Sequence, residues 1–99
     1  MKFSEILDGL KEGHIYTNGT MKEKNQCIVC HIPQSVPADV VPKMTSIPQT
    51  AKRLMTDCSI AFRNQVLILE WDRENGGNYL ATGYTPSWDD IFREDWEFV

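Results

Sequence analysis

The sequence predicts an α+β domain in which an N-terminal helix and further short helices pack on an antiparallel, twisted β-sheet. Helical spacing of apolar residues opens the chain, and short β-branched segments separated by turn signals follow it. The predicted order of helix, strands, helix, strands, short helix and strand suits an antiparallel sheet with helices on one side. A chain of 99 residues can bury one modest core. We therefore expect a single domain over residues 1–99.

The first predicted element is a helix over residues 3–12. Gly13 follows it as a C-terminal stop, and acids and lysines fill the positions between the apolar residues. The helix should dock one apolar face, which consists of Phe3, Ile6, Leu7 and Leu10.

Two strands are predicted next, over residues 15–17 and 26–32. Between them, Asn18-Gly19 is a strong two-residue hairpin signal. The second strand is rich in β-branched residues and cysteines.

Prolines at 33, 37, 42 and 48 predict an irregular stretch over about residues 33–48. At its end, Ser46 and Gln49 have the spacing of a capping box, with Pro48 in the first turn. We expect a helix of about 10 residues to follow, a common length for such a segment.

The remaining strands are predicted over residues 60–62, 66–71, 79–84 and 96–99, with a turn at Asn75-Gly76-Gly77-Asn78. The strand at 66–69 is apolar on both faces, so it should be central and covered by a helix or by another subunit. Ser87 and Asp90 form a second predicted capping box, ahead of a short helix around residues 89–93.

Composition and charge exclude several classes of protein. The chain has a net charge of −4 and an isoelectric point near 5.0, whereas duplex-binding proteins usually carry a clustered basic face. We therefore expect no long nucleic acid as a partner. No stretch approaches the roughly 20 apolar residues of a membrane span, and a charged N-terminus argues against a signal peptide. We expect a cytoplasmic protein.

Cys27-Ile28-Val29-Cys30-His31 has the literal form of a haem-attachment motif. Because it falls in a predicted strand, Cys27 and Cys30 should point to opposite faces and should not converge on one ligand. Zinc held with Cys58 or His14 is a second interpretation, but a structural zinc site wants another paired knuckle. We favour packing of small apolar side chains, with no bridge, metal or cofactor.

No catalytic arrangement is evident. His14 and His31 are the only imidazoles, and neither has a nearby Ser or Asp in a recognisable pattern. Gly76-Gly77 precedes no helix and no lysine, so it is interpreted as a turn and not as a phosphate loop. We expect no enzyme.

Tyr84 and Trp88 flank a loop that also contains Ser87 and Asp90. An aromatic plate beside hydrogen-bonding groups suits a purine and its ribose. In the alternative interpretation, Ser87 and Asp90 only cap the short helix, and the loop binds nothing.

Two segments resemble a known family. Phe3-x-x-Ile6-Leu7-x-x-Leu10-Lys11-x-Gly13 resembles the opening helix of the Thoeris anti-defence family of the second type, which are small phage proteins. The closing motif of that family resembles residues 83–96, where Arg93 replaces the usual alanine and the matching positions are Tyr84, Ser87, Asp90, Asp95 and Trp96.

This resemblance implies a non-catalytic sponge that sequesters a cyclic ADP-ribose-type or other cyclic nucleotide signal of bacterial defence in the host cytoplasm. It also implies a homo-oligomer, a dimer or tetramer, with pockets between protomers. The family's Arg and Trp after the first strand align with Asn18 and Met21. The predicted ligand-binding residues are Asn18, Met21, Lys22, Lys24, Tyr84, Ser87, Trp88 and Asp90, with the two lysines contacting phosphates.

Two other functions remain open from the sequence. A phage protein of the same fold can bind a host or phage protein instead of a nucleotide, and Met21 in place of the family's Trp favours this alternative. A small enzyme acting on nucleotides would need a general base that the sequence does not reveal.

Overall fold

The mixture of helices and antiparallel strands confirms the predicted α+β fold class. The computed structural model describes residues 1–74 and 76–99, so Asn75 of the predicted turn lies outside the described residues. Its helices and strands are α1 (Phe3–Lys11), β1 (Tyr16–Thr17), α2 (Gly19–Glu23), β2 (Gln26–His31), β3 (Gln34–Val36), a 3₁₀ turn (Val41–Lys43), α3 (Gln49–Leu54), β4 (Ile60–Phe62), β5 (Gln65–Asp72), β6 (Asn78–Gly83), α4 (Trp88–Phe92) and β7 (Glu97–Phe98).

The chain forms two compact units. The larger comprises residues 1–31 and 65–99 and contains a five-stranded antiparallel sheet in the order β6-β5-β2-β1-β7. The smaller comprises residues 32–64 and contains β3 paired antiparallel with β4. The candidate site described below lies in the larger unit.

The core of the larger unit lies on one face of its sheet, beneath α1. The predicted helix is confirmed, because its spacing buries two residues on one side while acids and lysines face solvent. Burying each such side chain contributes about 1.5–3 kcal/mol. The buried core residues of this unit are Ile6, Leu10, Tyr16, Met21, Ile28 and Trp96.

The two ends of the chain are joined by hydrogen bonds. The N-terminal ammonium of Met1 donates to the carbonyl oxygens of Trp96 at 2.6 Å and Glu94 at 3.0 Å, and the Trp96 N–H donates to the Met1 carbonyl at 3.1 Å. The Trp96 ring also packs edge-on against Phe3, with ring centroids 5.7 Å apart. The segment that carries Trp96 is therefore fixed to the start of α1.

β5 is an interior strand, as predicted, because it pairs with β2 on one side and β6 on the other. Its residues alternate between the two faces of the sheet. Val66 and Ile68 pack against the core, whereas Leu67 and Leu69 belong to the opposite face and are half-buried.

The hairpin turn predicted at Asn18-Gly19 is wrong. Asn18 instead begins α2, where its side-chain oxygen accepts the backbone N–H of Met21 at 3.0 Å. Asparagine is as favourable at a helix N-cap as in a tight turn, so the dipeptide alone cannot distinguish the two. The connection between β1 and β2 is therefore a short helix and not a two-residue turn.

Two predictions in the smaller unit are also wrong. The helix after the proline stretch begins after Pro48 without a side-chain cap, so Ser46 and Gln49 form no capping box, and α3 has six residues. The stretch at 33–48, predicted to lie mostly outside regular structure, contains β3 and the 3₁₀ turn. β3 exists through pairing with β4, including Val36 opposite Ile60, and local sequence does not reveal such a distant pairing.

Among the helices of residues 1–74 and 76–99, none is long and apolar enough to cross a membrane.

Gly9 on α1 provides a test of how that helix docks. A Cβ at this position would overlap the phenol ring of the buried Tyr16 on β1. In an unconstrained helix Gly→Ala stabilises by about 0.5–1 kcal/mol, but here we expect Gly9→Ala to destabilise by about 1–3 kcal/mol through overpacking. Thermal unfolding of Gly9→Ala and of Asp8→Ala, an exposed neighbour on the same helix, should show a marked loss only for the first. A Gly9→Ala protein as stable as the parent would contradict this docking.

Candidate ligand-binding site

The loop between β6 and α4 is organised around Asp90. The predicted capping box is confirmed: the Asp90 N–H donates to the Ser87 hydroxyl at 3.1 Å, and the Ser87 N–H donates to the Asp90 carboxylate at 3.2 Å. The Tyr84 hydroxyl donates to the same carboxylate at 2.9 Å, and the Trp96 indole N–H donates to the Asp90 carbonyl at 3.0 Å. The polar side chains of Tyr84, Ser87 and Asp90 thus have partners within the chain.

Tyr84 keeps its proton in this environment. Burial of the phenol raises its pKa, and the hydrogen bond and negative charge of Asp90 raise the pKa further. The phenol is therefore a hydrogen-bond donor at neutral pH, and its O–H group donates to the Asp90 carboxylate.

Trp88 and Phe92 form an exposed aromatic pair on α4. Their rings are stacked with centroids 5.8 Å apart and an interplanar angle of 25°, and each residue is 73% exposed. Large aromatic side chains this exposed often mark a binding surface. Of the predicted loop residues, Trp88 presents the most free surface.

Asn18 and Met21 lie in the interior instead of on the surface. Asn18 is fully buried, and Met21 is 5% exposed within the core. The Asn18 side-chain oxygen accepts the Met21 N–H, whereas its amide nitrogen has no hydrogen-bond partner among the described residues. Both side chains therefore lie on the buried side of α2 and do not present a surface to a ligand.

A cleft of about 580 Å³ opens on the larger unit. This volume lies within the usual range for small-molecule sites, about 300–1,000 Å³. Three aromatic residues and an ion pair line it together with backbone and small side chains. The lining residues are Thr17, Lys22, Asn25, Gln26, Cys27, Trp71, Tyr79, Glu97, Phe98 and Val99.

The aromatic wall of the cleft is fixed by a cross-strand pair. Trp71 on β5 lies opposite Tyr79 on β6, with ring centroids 5.0 Å apart. Gly77 sits against the Trp71 indole, because a Cβ there would come within 3.0 Å of the ring. Gly77 also has φ +74°, a conformation that favours glycine. The turn therefore holds the Trp71 ring in place.

The charged part of the cleft is an ion pair between Lys22 of α2 and Glu97 of β7. Both side chains are about half exposed, so the pair contributes little to stability and can exchange partners. Lys24, at the C-terminal end of α2, is exposed and is not among the lining residues. Of the predicted ligand-binding residues, only Lys22 lines the cleft.

A second interaction fixes α2, and thereby Lys22. The Arg93 guanidinium forms a two-point contact with the Asp95 carboxylate, at 2.6 and 2.8 Å. Arg93 also donates to the Thr20 hydroxyl at 3.0 Å, and the Gly19 N–H donates to Asp95 at 3.0 Å. These contacts hold the start of α2 against the segment before β7. We call this group of four residues the α2 clamp.

The three cysteines are free thiols. Cys27 lines the cleft and Cys30 packs against the core, so β2 directs them to opposite faces, as predicted. Burial raises the pKa of the Cys27 thiol, which keeps it protonated at neutral pH. The described residues contain no group of three or more His, Cys, Asp or Glu side chains that could hold a metal ion.

Sequence reasoning missed most of the cleft. Trp71 and Tyr79 stand on either side of a glycine turn, and this symmetric placement is a signal for a cross-strand aromatic pair. Glu97 and Phe98 gave no comparable signal, because β7 joins the cleft through its pairing with β1, far away in sequence.

An aromatic wall beside a lysine is an arrangement that suits flat, anionic small molecules. The family comparison is more specific. The model of the Thoeris anti-defense 2-like (Tad2-like) domain matches residues 1–99, and the chain therefore belongs to this family. Family membership supports a phage anti-defence role with a small-molecule signal as partner. None of the curated proteins matches the chain.

The α2 clamp generates a pH-dependent prediction. The hydrogen bonds from Arg93 and then Gly19 lower the pKa of Asp95 below its usual range. Because the pKa is lower in the folded state, the clamp stabilises the protein above the ordinary aspartate pKa, near 4, and this stabilisation is lost as the pH falls below it.

We therefore expect Asp95→Asn to lose at most about 1 kcal/mol at neutral pH, since the pair is partly exposed, and to lose less relative to the parent in acid. Urea unfolding at several pH values measures this, with the exposed Asp89→Asn as control. A difference between parent and Asp95→Asn that does not shrink below pH 4 would show that the carboxylate carries no such role.

Proposed function

We propose that the protein is a non-catalytic sponge that binds and sequesters a cyclic ADP-ribose-type or other cyclic nucleotide signal of bacterial anti-phage defence, within the host cytoplasm. The observation that carries this proposal is the cleft, which combines an aromatic wall with Lys22 on a chain of the Thoeris anti-defense 2-like family. A nucleotide supplies both complements, a flat base and a phosphate.

The geometry supports a specific division of roles. Trp71 and Tyr79 offer faces for stacking a base, which is worth about 1–3 kcal/mol per base. Lys22 offers a cation for a phosphate once it releases Glu97. A sponge with nanomolar affinity needs about 12 kcal/mol of binding free energy. Base stacking and the phosphate contact would each contribute part of this free energy.

Binding without reaction distinguishes a sponge from an enzyme. Protein incubated with cyclic ADP-ribose or with cyclic dinucleotides is recovered, denatured and assayed by mass spectrometry for what it releases. We expect the nucleotide to come back intact. Release of an altered product would make the protein an enzyme, and no uptake of any nucleotide would favour a protein partner.

Lys22 and Lys24 provide a matched pair of variants on one helix. Lys22→Met removes the charge from the cleft and should weaken nucleotide binding by about 1.5–3 kcal/mol, the usual value of a hydrogen bond to a charged group. Lys24→Met removes the same charge outside the cleft and should change the affinity little. Isothermal titration calorimetry measures both. Equal losses for the two variants would mean that the lysines act only through overall charge.

Glu97→Gln gives a change in the opposite direction. Because Glu97 pairs with Lys22 and adds negative charge to the cleft, its neutralisation should strengthen the binding of an anionic ligand several-fold, corresponding to about 1 kcal/mol. The same titration measures it, with Glu94→Gln, an exposed acid outside the cleft, as control. Unchanged binding by Glu97→Gln would place the ligand elsewhere.

The predicted loop remains a proposal with its own test. Ser87 and Asp90 cap α4, so a ligand there would rely on Trp88. Trp88→Ala and Trp71→Ala are equal truncations of an exposed and a half-buried tryptophan. Loss of nucleotide affinity only in Trp71→Ala supports the cleft, and loss only in Trp88→Ala supports the loop.

A protein partner is the second candidate function, and the exposed pair Trp88 and Phe92 is the observation that favours it. A hollow of about 290 Å³ beside Phe92, also lined by Leu7, extends this apolar surface. We also propose that the protein is a homo-oligomer, a dimer or tetramer. The family resemblance and the half-buried, apolar residues of β5 support this proposal.

A further inference from the structure

β6 is an unprotected edge of the five-stranded sheet. Its six residues, Asn78–Gly83, include no charged residue and no proline, and all six are exposed. Proteins usually protect a sheet edge with a charge, a proline, a bulge or a very short strand. The opposite edge, β7, follows this rule with two residues. β6 therefore offers a long, neutral edge to another strand.

The hydrogen bonds of β6 show which of its residues point their backbone N–H and C=O groups away from β5. The Tyr84 N–H, just beyond β6, donates to the Val66 carbonyl of β5 at 2.8 Å. In an antiparallel pair, residues alternate between pointing their backbone groups toward and away from the neighbouring strand. The backbone groups of Tyr79, Ala81 and Gly83 therefore point away from β5.

We infer that β6 pairs antiparallel with β6 of a second copy of the chain, about a two-fold axis at Ala81. A two-fold axis normal to the sheet pairs outward-facing residues with outward-facing residues. In this register Ala81 lies opposite Ala81 of the partner subunit, and Tyr79 lies opposite Gly83 of the partner subunit. All three outward-facing residues of each strand thus obtain backbone hydrogen bonds.

Side-chain size and charge fit the same register. Alanine on the axis avoids a clash between identical large residues, and glycine leaves room for the Tyr79 ring beside it. No charged residue of β6 meets its own copy across the axis. These features favour a second copy as the occupant, because the edge is complementary to itself.

This pairing would join two five-stranded sheets into one continuous sheet. It would also bring the partner subunit beside the outer wall of the cleft, because Tyr79 belongs to both β6 and the cleft. The inference gives the proposed self-association a definite interface. It holds whether or not the cleft binds a nucleotide, so failure of one does not entail failure of the other.

Proline at position 81 tests the edge without disturbing β5. Ala81→Pro removes an outward N–H and leaves the ladder to β5 intact, which edge strands tolerate. Ala81→Ser keeps both the N–H and the small side chain and is the matched control. In light scattering we expect the parent and Ala81→Ser to have at least twice the 11.4 kDa mass of one chain, and Ala81→Pro to have half the parent mass. A monomeric parent, or an unchanged mass for Ala81→Pro, would overturn the inference.

A disulfide tests the register directly. Residues in a hydrogen-bonded antiparallel pair have Cα atoms about 5.5 Å apart, within the range that a disulfide spans. In a background with the exposed Cys58→Ser, Ala81→Cys should form a crosslinked dimer on mild oxidation, identified by peptide mapping. Leu80→Cys, one residue away, should not. Crosslinking at 80 instead of 81, or at neither, would refute the proposed axis.

Discussion

Burial of Trp96 is the interaction on which the rest of the larger unit depends. This residue is 1% exposed, packs against Phe3 of α1, and exchanges backbone hydrogen bonds with Met1. Its indole N–H holds the carbonyl of Asp90, so the start of α4 is attached to the same point. Removing a buried tryptophan side chain typically costs about 3–5 kcal/mol, a large fraction of the stability of a small domain.

The geometry of the candidate site depends on the fixed position of Trp96. Glu97 and Phe98 follow Trp96 directly, so fixing the tryptophan places the β7 side of the cleft. The opposite side comes from the β5–β6 hairpin through Trp71 and Tyr79, and the α2 clamp holds the helix that carries Lys22. Three separate parts of the chain thus meet at the cleft.

The sequence predicts the locally encoded parts well. Ile6 and Leu10 reveal α1 by their spacing, and Ser87 and Asp90 reveal the start of α4, because both signals lie within one or two helical turns. Prediction from the sequence fails where pairing between distant segments determines the structure, as in β3. It also fails where one residue suits two local structures, as with Asn18. Most of the cleft was not predicted for the first of these reasons, because β7 contributes to it through its pairing with β1, which is distant in sequence. Lys22 was predicted from a family resemblance and not from local pattern.

The three tryptophans occupy three different environments: Trp96 in the core, Trp71 in the cleft and Trp88 on the exposed surface of α4. The most direct test of the central claim is therefore a nuclear magnetic resonance titration of the three indole N–H signals with cyclic ADP-ribose and cyclic dinucleotides. The account predicts that one of these nucleotides shifts the Trp71 signal strongly and leaves those of Trp88 and Trp96 nearly unchanged. A shift of the Trp88 signal alone, or no shift with any of the nucleotides, would contradict it.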